Sequence, residues 1–141
     1  MKAKNIMTKK IITVQKSDPI EEAANKMKQA GVGTVAVEDQ GNIVGIITDR
    51  DIVVRDVAVS SQAGKMKCGD VMTTNIATAT PDTNVDDIAR LMSERQIKRI
   101  PIVEQNKIVG MVSLGDLSQT RGKRQEAGDT LRDITTKQTF Q

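Results

Sequence analysis

Set against itself at an offset of sixty-five positions, the sequence aligns without a gap from Ile6/Val71 to Ile52/Leu117. Identical pairs include Met7/Met72, Thr8/Thr73, Ile11/Ile76, Thr13/Thr78, Ala24/Ala89, Met27/Met92, Gly45/Gly110 and Asp51/Asp116. Other pairs exchange one aliphatic for another, as in Val35/Ile100 and Val37/Ile102. A duplication of this kind has to be recognised before any fold is assigned. One copy alone is too short to bury a stable core. The expected folding unit is therefore the pair, packed face to face about a pseudo-twofold and sharing one core.

Each copy reads as β-α-β-β-α, which makes the fold class α/β (α+β) with tandem repeats. "IITV" (residues 11 to 14) is a short β-rich run. "SDP" then supplies an N-cap and a proline for a helix whose first turn holds Glu21 and Glu22. Ile20, Ala23, Ala24 and Met27 form its apolar stripe, matched in copy two by Val85, Ile88, Ala89 and Met92. The helix should stop near Gly31. Two strands follow in each copy, turning at "DQGN" in the first and "QN" in the second, and a second helix comes after them. The boundaries read as repeat 1 at 1–58, a polar linker at 59–68, repeat 2 at 69–118 and a tail at 119–141. Within the tail, Ala127, Leu131 and Ile134 have helical spacing, as in a short docking helix or a frayed end.

Composition excludes more than it suggests. Phe140 is the only aromatic residue, so the core must be aliphatic and bases have no side chain to stack on. A net charge of +3 with both signs interleaved is no basic stripe. Nucleic acid is accordingly not the expected partner. The chain has no His, and Cys68 is its sole cysteine, so His-based zinc sites, Cys–His pairs and intrachain disulfides are all excluded. No metal site and no enzyme activity are expected. No run is apolar enough to span a membrane, and "MKAKNIMTKK" lacks the apolar region of a secretory signal. The expectation is a cytoplasmic protein.

The duplicated motif "GIITDRD" (45–51) and "GMVSLGD" (110–116) places a hydroxyl three residues before a carboxylate where a strand gives way to a helix. Thr48/Asp51 and Ser113/Asp116 have the spacing of a capping box, which suffices to explain them. The same residues also suit a nucleotide. A hydroxyl can donate to a phosphate oxygen, and a carboxylate can accept from ribose hydroxyls. Copy two adds "KRIPIV" (98–103), with Lys98 and Arg99 in reach of phosphates and Ile100, Pro101 and Ile102 as an apolar wall. A solvated basic pair beside a core strand is the alternative. Pro101 removes a ladder donor, which points to an edge strand or an irregular one. Copy one has Gly33 and Thr34 in place of the cations, with Arg50 and Arg55 in its following helix instead.

Residues 5 to 118, with "DVMT" at the head of copy two, "IPIV" and the paired glycine motifs, resemble the cystathionine-β-synthase (CBS) domain pair, or Bateman module. The resemblance implies a regulatory module that senses adenosine-containing ligands such as AMP, ADP or ATP in clefts between the copies. By position it implies Asp51 and Asp116 at ribose hydroxyls, and Thr48 and Ser113 near phosphates. It also implies Thr13 and Thr78 as polar contacts, Val35 and Ile100 on the strand facing the base, and Lys98 and Arg99 at phosphate. Arg50 and Pro101 complete the candidate set. Since copy one lacks the basic pair, copy two should hold the tighter phosphate site. Further implications are a homodimer joined through the helices after the strands, and no required cofactor. With no effector domain alongside, the pair would stand alone and signal in trans to a protein partner. A ligand-free dimerisation or interaction module is the competing reading.

Overall fold

The computed structural model describes residues 1–120 and 124–136. In chain order it contains α1 (Ala3–Ile6), β1 (Thr13–Gln15), α2 (Ile20–Ala30), β2 (Thr34–Asp39), β3 (Asn42–Thr48) and α3 (Asp49–Ile52), which runs on as a π-helical turn, Val53–Val57. Then come α4 (Cys68–Val71), α5 (Val85–Arg95), β4 (Arg99–Glu104), β5 (Lys107–Ser113), α6 (Leu114–Gln119) and α7 (Arg124–Thr136). Among the described residues no helix is long and apolar enough to cross a membrane.

The chain divides into two compact units. One is residues 11–76; the other joins residues 1–10 to 77–141. In the 11–76 unit β1 runs parallel to β2, and β2 pairs antiparallel with β3. In the other unit β4 and β5 pair in the equivalent register, with Arg99 opposite Ser113 as Thr34 is opposite Thr48. Both hairpins turn over two residues of positive φ, Gln40-Gly41 and Gln105-Asn106, the twist a tight hairpin favours. Each sheet covers an aliphatic core, built on Val14, Ile20, Val35, Val37 and Ile47 in one unit and Ile88, Met92, Ile100, Ile102 and Val112 in the other.

These units differ from the sequence repeats at their heads. Met7 and Thr8, which open copy one, complete the sheet of copy two, where Thr8 and Met111 exchange backbone bonds of 2.9 and 3.0 Å. Thr73 does the same with Ile46, at 2.8 and 3.0 Å. The exchange explains the motif glycines. A Cβ on Gly45 would lie 2.6 Å from Met72 Sδ and 2.9 Å from Thr73 O; one on Gly110 would strike Met7. Each glycine leaves room for the head methionine that crosses its strand.

The head segments also cap the first helix of each unit. Ile20 N donates to Met66 O and Glu21 N to Gly64 O at α2, while Val85 N donates to Met1 O at α5. This corrects the expected "SDP" cap. Asp18 instead accepts from Gln15 N at 2.8 Å, and neither Pro19 nor Asn84 caps through its side chain. Residues 64–67 therefore lie at the start of α2, pinned by buried Asp56, whose Oδ2 accepts from Gly64 N at 2.8 Å. The C-terminal end of α2 follows expectation, with Gly31 at φ +66°.

Two departures from symmetry matter for the site. β1 has no counterpart strand in copy two, where only Ala79 bridges to Ile102. In copy one Ala36 N donates to Ile12 O and Lys16 N to Glu38 O. Prolines 101 and 81 occupy those two positions in copy two and have no N–H to give. Secondly, α7 docks on the 77–141 unit through Ala127, Thr130 and Ile134, with Thr130 3% exposed and its hydroxyl donating to Glu126 O. Leu131, expected on that stripe, is 43% exposed, because the middle contact falls at i+3 rather than i+4. The helix covers Ala89, whose counterpart Ala24 is exposed, so the predicted stripe of α2 is one residue narrower than expected. Tail residues 121–123 and 137–141 lie outside the described residues.

Cys68 is fully buried, with its thiol 3.7 Å from Pro19 O. Burial, and then the Asp18 charge, push it up from 9.0 to about 11. A raised thiol pKa stabilises the native state below the unfolded value and withdraws that stability as pH rises through the folded one. The urea midpoint of the wild type should therefore fall more steeply between pH 9 and 11 than that of Cys68→Ala; parallel curves would contradict this. For the head exchange, Gly110→Ala should cost ~1–3 kcal/mol by overpacking. In a Met7→Ala background the cost should be much smaller, as a double-mutant cycle by urea denaturation would show.

Candidate functional site

The hydroxyl and carboxylate of each motif are engaged with one another. At the junction of β3 and α3, Asp51 N donates to Thr48 Oγ1 at 3.2 Å and Thr48 N donates to Asp51 Oδ2 at 3.0 Å. At the junction of β5 and α6 the bonds are 3.0 Å from Asp116 N to Ser113 Oγ and 2.9 Å from Ser113 N to Asp116 Oδ2. Both are complete capping boxes, so the spacing is accounted for by the helix starts themselves. Each cap fixes a hydroxyl at the end of a strand whose neighbour sets what faces it.

In copy two that neighbour is basic. The β4–β5 register puts Arg99 directly across from Ser113, and Leu114 N donates to Lys98 O at 2.8 Å, closing the strand ends together. Together they open onto a cavity of about 670 Å³. Its cations are Lys98, Arg99 and Arg124, and Ser113 and Ser118 bring hydroxyls. Leu114, Ala127 and Leu131 supply apolar surface, with Gly115 and Gly128 between. Among the described residues no carboxylate lines it. Among the described residues no ion pair involves any of its three cations. Its lining thus combines positive charge and hydroxyl groups with apolar surface.

The equivalent place in copy one lacks the basic pair, with Gly33 and Thr34 at the positions of Lys98 and Arg99. Asp49 stands where copy two has Leu114, and its carboxylate lies over Gly33, close enough that a Cβ there would be 2.8 Å from Asp49 Oδ2. Arg50 is exposed, while its backbone N–H donates to Asp49 Oδ1. Arg55 donates to Val71 O at 3.1 Å and lies 3.9 Å from Asp51 Oδ1, so it secures the head segment. A smaller cavity of about 350 Å³ in the 11–76 unit, lined by Lys16, Asp39, Lys67 and Asp70 among others, is mixed in charge and contains none of the candidate residues.

The remaining candidates are dispersed. Val35 and Ile100 are 1% and 0% exposed, packed in the two cores. Pro101 is buried, and its carbonyl accepts from Ala79 N. The Thr13 carbonyl accepts from Lys26 Nζ at 2.7 Å, and Thr78 is exposed. Sequence reasoning missed Arg124, Ser118 and the cavity-facing role of Leu131. Arg124, Gly128 and Leu131 share one face of α7 at i, i+4 and i+7, one stripe round from the docking residues, but which face docks is decided by packing and not by the spacing.

Comparison with known proteins agrees with this architecture. The family model for the CBS domain matches the chain twice, over residues 3–57 and 68–121. The CBS domain-containing protein YhcV of Bacillus subtilis is 39% identical over 132 residues, 94% of this chain and 94% of its own length. An uncharacterized conserved protein from Pyrococcus horikoshii has a crystal structure similar to this fold, with a TM-score of 0.75 at 36% identity, covering 85% of this chain and 93% of that one. The CBS domain pair of protein MJ0100, crystallised with methylthioadenosine and S-adenosyl-L-methionine, gives a TM-score of 0.74 at 31% identity, covering 92% of this chain and 98% of that one. Since the family matches take in both halves of the duplication, this chain belongs to the CBS domain family and contains two CBS repeats.

Proposed function

We propose that the chain is a regulatory module that binds an adenosine-containing nucleotide of the AMP, ADP or ATP class at the copy-two cavity and signals in trans to a protein partner. The observation that supports it most is Arg99 set across from Ser113 at a cavity that, among the described residues, has three cations and no lining carboxylate. The Asp49 carboxylate over Gly33, and Gly33 and Thr34 in place of the basic pair, make the two copies unequal and favour copy two for phosphate. Adenosine ligands in the related MJ0100 pair lend the nucleoside half of the reading.

A homodimer is part of the same proposal. Val53, Val54 and Val57 on the π-helical turn and Val59 just after it are all exposed, an apolar surface on the helix after the strands. The second reading, a ligand-free interaction module, draws on one specific observation: both capping boxes are closed, so neither motif needs a ligand to satisfy it.

A thermal-shift screen against AMP, ADP, ATP, NAD and S-adenosylmethionine separates the two. A ligand at a hundredfold over Kd stabilises by about 2.7 kcal/mol, which raises Tm by several degrees in a domain of this size. Arg99→Ala, an exposed change, should leave the ligand-free Tm nearly unaltered and remove the shift. Absence of a shift with every ligand would sink the nucleotide reading and leave the interaction module standing.

A further inference from the structure

The cavity has a wall that neither repeat supplies. Arg124, Ala127, Gly128 and Leu131 all come from α7, the helix beyond the second copy. We propose that α7 makes this cavity a polyphosphate site, with Arg124 as a third cation beside Lys98 and Arg99, selective for a ligand with two or more linked phosphates. The nucleoside half of that ligand rests on the function proposed above; the polyphosphate half rests on α7.

Three observations lead here. Charge is the first. A single phosphate monoester brings about −1.5 to −2 at neutral pH, which Lys98 and Arg99 suffice to balance. A third cation on the same cavity, with no carboxylate among the described lining residues to neutralise it, matches a longer phosphate chain. The contrast within α7 sharpens this: Arg132 pairs with Asp129 at 3.7 Å, whereas no described ion pair involves Arg124.

The second observation is Gly128. It sits in the middle of a thirteen-residue helix, where glycine costs about 0.5–1 kcal/mol relative to alanine. Packing does not require it, for a Cβ there would meet nothing within 4 Å. The helix forgoes a methyl group just where it faces the cavity, which keeps that wall open. The third is anchorage. Ala127, Thr130 and Ile134 are buried, so α7 holds Arg124 on the unit that carries Lys98 and Arg99. A bound phosphate chain would then tie the head of β4 to α7 and make the helix sense occupancy.

Calorimetry on the full chain with adenosine, AMP, ADP, ATP and inorganic tripolyphosphate tests this. Affinity should rise from AMP through ADP to ATP. Arg124→Ala should weaken ATP about tenfold or more, as loss of a charge-assisted bond does, with AMP and adenosine little changed and Arg124→Lys restoring part of the loss. Gly128→Ala should raise the ligand-free Tm yet weaken ATP. Amide exchange along α7 should slow with ATP and not with adenosine. If Arg124→Ala leaves ATP binding intact while Arg99→Ala removes it, the α7 site is wrong and the nucleotide reading survives. An equal loss for every ligand would mean that Arg124 serves only the docking of the helix, and would also overturn the site. Tripolyphosphate binding that depends on Arg124, without nucleotide binding, would keep the polyphosphate site and sink the nucleotide. No binding by any probe sinks both.

Discussion

The rest of the structure depends on backbone hydrogen bonding by the two head segments. In each unit the residues before a short helix cap the first long helix with a main-chain carbonyl, and the residues after it give one strand its last ladder partner. The bonds recur at the same offset as the sequence: Thr8 with Met111 and Thr73 with Ile46, Met1 with Val85 and Met66 with Ile20. An uncapped helix start and an unpaired strand edge are costly when buried. Each sequence copy therefore leaves its own sheet unfinished and finishes the other, which is a physical reason for the duplication to persist as a pair.

That scaffold is nearly symmetric, and the differences laid on it are few and chemical. Prolines 81 and 101 strip the outer strand of copy two to a single bridge. Lys98 and Arg99 replace Gly33 and Thr34, and Leu114 and Gly115 replace Asp49 and Arg50, so copy two gains a basic pair and loses a carboxylate. α7 then packs on the unit that holds copy two. The paired hydroxyl and carboxylate that first draw the eye are common to both copies and are capping boxes in both. What separates the copies is the charge around those caps.

Much of the fold was legible because it is written in short-range periodicity. The stripe Val85, Ile88, Ala89 and Met92 is buried as read, and the turns at Gln40 and Gln105 fall where turn chemistry put them. The head exchange was not legible. Its bonds are main-chain, join residues far apart in sequence, and leave no spacing signature; Gly45 and Met72 are plain only once they are seen in contact. "SDP" misled because an N-cap residue type was present while carbonyls from residues 64 and 66 had already satisfied the helix. For the site, the basic pair and Ser113 were readable from "KRIPIV" and "GMVS". Arg124 was not, because its place depends on how α7 docks, and the choice of Thr130 over Leu131 as the buried contact is decided by packing rather than by hydrophobicity.

The central claim is that copy two holds a nucleotide among Lys98, Arg99, Ser113 and Arg124. Amide NMR spectra of the full chain titrated with ATP test it most directly. The account predicts shifts concentrated at residues 98–99, 113–118 and 124–131, with residues 48–51 little affected. Shifts centred on Thr48–Asp51, or spectra that do not change at saturating ATP, would contradict it.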